Sequence, residues 1–293
     1  MKHLFTFLMI GLALPAFSQK PSPESLKEAI MAKLSTVEGV FAVAFKDLQT
    51  NQTLFINEKE NFHAASTMKT PVMIEVFKQA KANKFKLTDS ILVKNEFKSI
   101  VDGSPFSLDI NDDSADGMYK QIGQKMTIYD LTYQMIIVSS NLATNILIDL
   151  VDAKKANATM REFGANDIQV RRGVEDDKAF QLGLNNSVTA YDLLLIFEKI
   201  AKKEAIDQTA SEGMLRILFD QKFNDVIPAK LPKEVKVAHK TGSITGVQHD
   251  SGIVFLPDGR KYVIILLSKG LVKGKSSIGA FADVSEMIYN FVK

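Results

Sequence analysis

Apolar and polar positions alternate in three regimes along the chain. Residues 24–36 place Leu26, Ile30 and Leu34 at helical spacing, which predicts one amphipathic helix. Residues 40–45 and 53–56 then read as two strands, joined by a turn-rich connection at 47–51. From Ser66 to about Gln221 the period is helical, predicting helices over 66–83, 127–139, 141–151, 155–163, 189–202 and 209–220. Near Pro232 the pattern changes again. Residues 235–240, 252–256 and 261–267 are rich in β-branched residues, and Pro257-Asp258-Gly259-Arg260 supplies a hairpin turn between the last two. An amphipathic helix over 276–292 ends the sequence.

Strands near both ends with helices between them predict a mixed α/β fold of the α+β kind. One five-stranded antiparallel sheet would be built from both termini, flanked by helices, with an all-helical lobe inserted. The expected boundaries are 19–65 and 229–293 for the sheet-bearing lobe, and 66–228 for the helical one. A cleft between two such lobes is where a site is to be sought.

The first 18 residues differ from the rest. Lys2 precedes an apolar run that ends at Pro15 and Ala16-Phe17-Ser18, the pattern of a signal peptide cleaved before Gln19. The run is shorter than the ~20 residues that span a bilayer, so export to the periplasm or medium is expected, without a stable membrane anchor.

Composition narrows the chemistry. The 293 residues are 46% hydrophobic and 24% charged, with a formal net charge of +2, so nucleic acid is not an expected partner. There is no cysteine and there are four histidines, with neither an H-x-H nor an H-E-x-x-H pair. Thiolate zinc sites and cysteine nucleophiles are excluded, and no metal or other cofactor is expected. Gly-x-Ser-x-Gly and Walker-type loops are also missing, which argues against an α/β-hydrolase elbow and against nucleotide hydrolysis.

Three short motifs remain. Ser66-Thr67-Met68-Lys69 at a predicted helix start puts a hydroxyl and an amine on one face. A serine needs a neighbouring base to become nucleophilic, and a lysine can serve if burial lowers its pKa. Ser139-Ser140-Asn141 lies between two helical runs, and Lys240-Thr241-Gly242-Ser243 ends a strand with donors suited to a carboxylate. Helix caps and turns account for each motif taken singly.

Together, in this order and context, they resemble the class A β-lactamase family of penicillin-recognising serine hydrolases, of which the chain looks like a divergent member. The resemblance covers nearly all of residues 24–293 and implies a β-lactamase/transpeptidase-like fold. It implies that Ser66 attacks the amide carbonyl, Lys69 helps to deprotonate it, and Ser139 passes a proton to the leaving nitrogen. By the same resemblance Asn141 binds the substrate's side-chain amide, and Lys240, Thr241 and Ser243 bind its carboxylate. The backbone N–H groups of Ser66 and Ser243 would form the oxyanion hole.

The sequence departs from the family pattern in places. Ser140 stands where the second motif usually has Asp, and Ser251 where a carboxylate-binding arginine is often found. Residues 100–119 are expected to form an elaborated loop beside the cleft. The loop pattern Glu-x-x-Leu-Asn is broken at Glu175-Asp176-Asp177-Lys178-Ala179, leaving Glu175 as the candidate hydrolytic base and Asn185 or Asn186 to replace the asparagine. A lone His249 is expected to be structural. The leading expectation is a monomeric β-lactamase acting through an acyl-serine. The alternatives are a penicillin-binding hydrolase of D-alanyl peptides or other amides and esters, and a non-catalytic cell-wall peptide-binding domain.

Overall fold

The computed structural model describes residues 22–272 and 276–293. The expected signal peptide lies outside the described residues. Among them, no helix is long and apolar enough to cross a membrane.

The sheet has the expected five strands and is antiparallel throughout. They are β1 (Val40–Asp47), β2 (Thr53–Ile56), β3 (Lys236–Ile244), β4 (Val247–Phe255) and β5 (Lys261–Lys269), in spatial order β2-β1-β5-β4-β3. Strands from the two ends of the chain meet at β1 and β5, where Val40 pairs with Lys269 and Asp47 with Tyr262. Both faces of the sheet are covered, so its strands read as continuous apolar runs. Ala42, Ala44, Ala238, Ile253, Val263 and Ile265 pack towards the helical lobe. Val43, Phe45, Val254, Tyr262, Ile264 and Leu266 pack on α1 (Pro23–Leu34) and on the C-terminal helix Ile278–Val292.

Between the terminal strands lie α2 (Lys69–Lys81), α3 (Ile128–Ile137), α4 (Asn141–Val151) and α5 (Ala153–Glu162), then α6 (Asp177–Gln181), α7 (Ala190–Ala201) and α8 (Gln208–Phe219). The C-terminal helix is α9. Side-chain caps mark where several begin: Ser22 accepts from Ser25 N–H, Thr127 from Asp130 N–H, and Ser140 from Ala143 N–H.

One strand begins earlier than its pattern predicts. β4 starts at Val247 rather than at 252, because polar residues 248–251 find partners inside the protein. His249 Nε2 donates to His63 O (2.8 Å), Asp250 binds His239 Nδ1 (2.9 Å), and Ser251 Oγ donates to Lys240 O (3.1 Å). The expected 100–119 loop falls within a longer structured connection, with a short hairpin, Phe97–Lys98 with Pro105–Phe106, and 3-10 turns at Ile110–Asp112 and Asp116–Gln121.

Candidate active site

Ser66 lies in a 3-10 turn, Ala65–Met68, that runs directly into α2. Thr67 Oγ1 donates to Ala64 O (2.6 Å), and Ala65 holds a left-handed φ of 42°. That conformation costs an alanine about 1–2 kcal/mol, so the surrounding packing must impose it. The edge of β3 presses on this turn. A Cβ on Gly242 would sit 3.0 Å from Ser66 N and 3.1 Å from Thr67 N, so only glycine lets the strand approach.

One turn beyond Ser66, Lys69 is fully buried. Its ammonium donates to Ser139 O (2.7 Å), Ser139 Oγ (3.2 Å) and Asn141 Oδ1 (2.9 Å). Burial pulls its pKa down to about 7, against the opposing pull of Asp113 and Glu175. Lys240, also fully buried, donates to the same Ser139 Oγ (3.0 Å) and to Thr241 O (2.9 Å). Burial, reinforced by the charge of Lys69, holds Lys240 well below the ordinary lysine value. A hydroxyl has two lone pairs and one hydrogen. With both lone pairs of Ser139 facing lysines, its hydrogen is left for a third partner.

Asn141 opens α4 and joins two halves of the site. Its Oδ1 faces Lys69, while Nδ2 donates to Glu175 Oε1 (2.8 Å) and to Asp112 O (3.1 Å). Both donors and the acceptor are therefore engaged within the protein. Glu175 also accepts from Asp109 N–H (3.2 Å) through Oε2. Burial raises the Glu175 pKa, and the bond from Asn141 opposes that rise.

Loop contacts hold Glu175 in place. Gln169 and Ser187 bridge the neck of its loop. Arg172 donates to Leu184 O (3.1 Å), Gly173 O (2.9 Å) and Asn185 Oδ1 (3.0 Å). Asn186 binds the backbone of Arg171 and Arg172 through both amide atoms (2.7–3.1 Å). The Asn186 amide is thus taken up by the backbone of its own loop, and the Asn185 oxygen by Arg172. Asn145 of α4 grips Val174 from both sides, accepting its N–H (2.7 Å) and donating to its carbonyl (3.0 Å). Gly173 is required there, since any Cβ would collide with Asn145 Oδ1.

The model of the Beta-lactamase enzyme family matches residues 25–292. The chain belongs to that family. It is 22% identical to the extended-spectrum β-lactamase PER-1 of Pseudomonas aeruginosa, with 98% of this chain and 92% of that protein covered. Its fold matches a β-lactamase from Sphaerobacter thermophilus with a TM-score of 0.78 at 24% identity, covering 93% of this chain and 99% of the other. It also matches a mutant of PBP-A, solved as an acyl-enzyme complex with penicillin G, with a TM-score of 0.77 at 24% identity, covering 91% and 95%.

In this member of the family, a cavity of about 720 Å³ opens above the two lysines. Ser66, Ser139, Asn141, Glu175, Thr241 and Ser243 all line it. The seven candidate residues of the three motifs, and Glu175, therefore line this cavity or, as Lys69 and Lys240, lie buried beneath Ser139. Ser251, where an arginine is often found, is buried and braces the Lys240 carbonyl. His249 is buried too, its pKa lowered to about 4 by burial, and Nε2 ties β4 to His63 O.

Asp113, Asn145 and Arg172 are absent from the motif reading. Asp113 and Asn145 act through partners far away in sequence, for which local pattern carries no signal. Among the described residues, no group of three or more His, Asp or Glu side chains is placed to hold a metal ion.

Proposed function

We propose that the protein is a serine β-lactamase of the class A kind, which opens the lactam amide through an acyl-serine intermediate. The observation that carries this reading is the chain Lys69–Asn141–Glu175, which links a buried amine beside Ser66 to a carboxylate in the same cavity. With its pKa near 7, Lys69 is substantially neutral at physiological pH and able to take the Ser66 proton. The Ser66 oxygen then attacks the lactam carbonyl, and the backbone N–H groups of Ser66 and Ser243 stabilise the developing oxyanion. The hydrogen of Ser139 passes to the leaving nitrogen as the C–N bond breaks, and the proton that Lys69 took from Ser66 restores the Ser139 hydroxyl, leaving Lys69 neutral again.

Glu175, made more basic by burial, takes a proton from water as it attacks the acyl ester. The ester C–O bond breaks, and the proton held by Glu175 returns to the Ser66 oxygen, which restores both groups. Lys240, Thr241 and Ser243 bind the substrate carboxylate at the strand edge. The mature enzyme would begin at Gln19, act outside the cytoplasm as a monomer and need no cofactor.

A second reading keeps the nucleophile but makes the protein a penicillin-binding hydrolase of D-alanyl peptides, in which β-lactams are trapped. One observation favours it: the Asn186 amide is taken up by the backbone of its own loop, and Asn141, which is bonded to Glu175, has its carboxamide fully engaged by Lys69, Glu175 and Asp112 O, so neither amide is left to hold the hydrolytic water. Intact-mass spectra over time after mixing with penicillin separate the readings. An adduct that forms at Ser66 and disappears, with continuing hydrolysis of a chromogenic cephalosporin, supports the lactamase. A persistent adduct supports the trap. The lack of any adduct removes both.

A further inference from the structure

Asp113 belongs to none of the three motifs. It lies in the long connection between α2 and α3, between the 3-10 turns Ile110–Asp112 and Asp116–Gln121. Its Oδ2 nevertheless accepts the backbone N–H groups of Asn141 (2.9 Å) and Leu142 (2.9 Å), and the Ser140 hydroxyl approaches it at 3.4 Å. These are the first N–H groups of α4, which have no partner within the helix. The same connection reaches the site twice more, through Asp112 O on Asn141 Nδ2 and Asp109 N–H on Glu175 Oε2.

The consequence falls on Asn141. Its carboxamide must direct oxygen to Lys69 and nitrogen to Glu175, and no rotated or flipped arrangement satisfies both. A shift of the Asn141 backbone would release both contacts at once. Ser140, the middle residue of the motif, accepts the Ala143 N–H at its hydroxyl oxygen (3.2 Å), turns its hydrogen towards Asp113 (3.4 Å) and brings no charge of its own.

We propose that Asp113 is a positioning residue for catalysis: its carboxylate anchors Asn141 between Lys69 and Glu175 and supplies a negative charge facing Lys69. This rests on the lactamase reading given above. The charged groups facing Lys69 are Asp113 from this connection, Glu175 from its own loop and Lys240 from β3. Tyr119 faces Asp113, and its pKa is raised by burial first and then by Asp113 and Glu175, so it stays neutral. Asp113 thus favours the charged form of Lys69, and removing its charge favours the neutral amine.

Two substitutions separate charge from anchoring. Asp113→Asn keeps a carbonyl oxygen able to accept both N–H groups but loses the charge. Asp113→Ala loses both. The acylation rate of Ser66 by penicillin is followed across neutral pH by stopped flow, with thermal melts as a check on folding. In Asp113→Asn the acidic limb of the rate profile should move to lower pH, with the plateau within about 3-fold of wild type. In Asp113→Ala acylation should fall by roughly 10- to 100-fold, the scale of a misplaced catalytic group. Deacylation should slow with it, as Glu175 loses Asn141.

An unmoved limb in a folded Asp113→Asn would overturn the electrostatic role and leave a helix cap. Wild-type rates in a folded Asp113→Ala would overturn the positioning role. Where the alanine variant fails to fold, the asparagine variant alone decides. Failure of the wild-type protein to acylate at Ser66 is a different result, and it counts against the lactamase reading instead.

Discussion

The cavity has two sides that are built differently. The side bearing Ser66, Lys69, Ser139 and Lys240 stands on the starts of two helices and on β3, an edge strand of the sheet. Its polar atoms are packed into the core, and Lys69 and Lys240 converge on one hydroxyl. The side bearing Glu175 is a loop held by hydrogen bonds from Asn145, Arg172 and the 95–121 connection. The first needs groups whose spacing regular structure supplies. The second needs a carboxylate placed beside a water, and loops from several places in the chain combine to place it. Acylation and deacylation should therefore respond to different substitutions, and to different depths.

The largest effect is expected at the proposed nucleophile. Ser66→Ala should abolish labelling by a fluorescent penicillin while leaving the melting temperature little changed; surviving label would put the nucleophile elsewhere. Next comes its base. Lys69→Ala should slow acylation by ~100-fold or more. In the wild-type protein the acylation rate should rise with pH through about 7 and then level off, because the attacking serine needs Lys69 unprotonated. A flat profile there would assign the proton transfer to another group.

Substitution on the opposite side should divide the two steps. Glu175→Gln should acylate at a rate close to wild type but accumulate a long-lived adduct, seen as a burst followed by a steady state ~100-fold slower. If both steps are unchanged, Glu175 is only surface charge. The smallest effect is expected one residue on. Asp176 is buried and accepts from Ser99 Oγ (2.8 Å) and Ile100 N–H (2.9 Å), joining the hairpin to the Glu175 loop. Asp176→Ala leaves those donors unpaired, at a cost of about 1–3 kcal/mol. Its trace should be a lower melting temperature and deacylation slowed by roughly 10-fold, with acylation preserved. Equal losses in both steps would mean that the two sides are less independent than their construction suggests.

The same division governs what could be read in advance. Ser66 and Lys69 are three positions apart at a helix start, and Lys240-Thr241-Gly242-Ser243 ends an apolar run, so local period alone placed them on their elements. The five strands were likewise visible, because a sheet covered on both faces needs continuous apolar runs. The early part of β4 was not. Gln248, His249, Asp250 and Ser251 look like a polar loop until His63, His239 and Lys240 are brought against them.

What the sequence determined by itself is the order of elements and the identity of the groups that meet, since hydrophobic period and motif spacing are properties of neighbours along the chain. Only the tertiary structure decided that Lys69 is stripped of water and drawn down to a pKa of about 7. It alone turned Asn141 between Lys69 and Glu175, and brought Asp113, from a loop expected beside the cleft but with no residue of it assigned a role, to bond its backbone. Burial, and hydrogen bonds between residues far apart in sequence, depend on which surfaces close over one another. No local spacing encodes that.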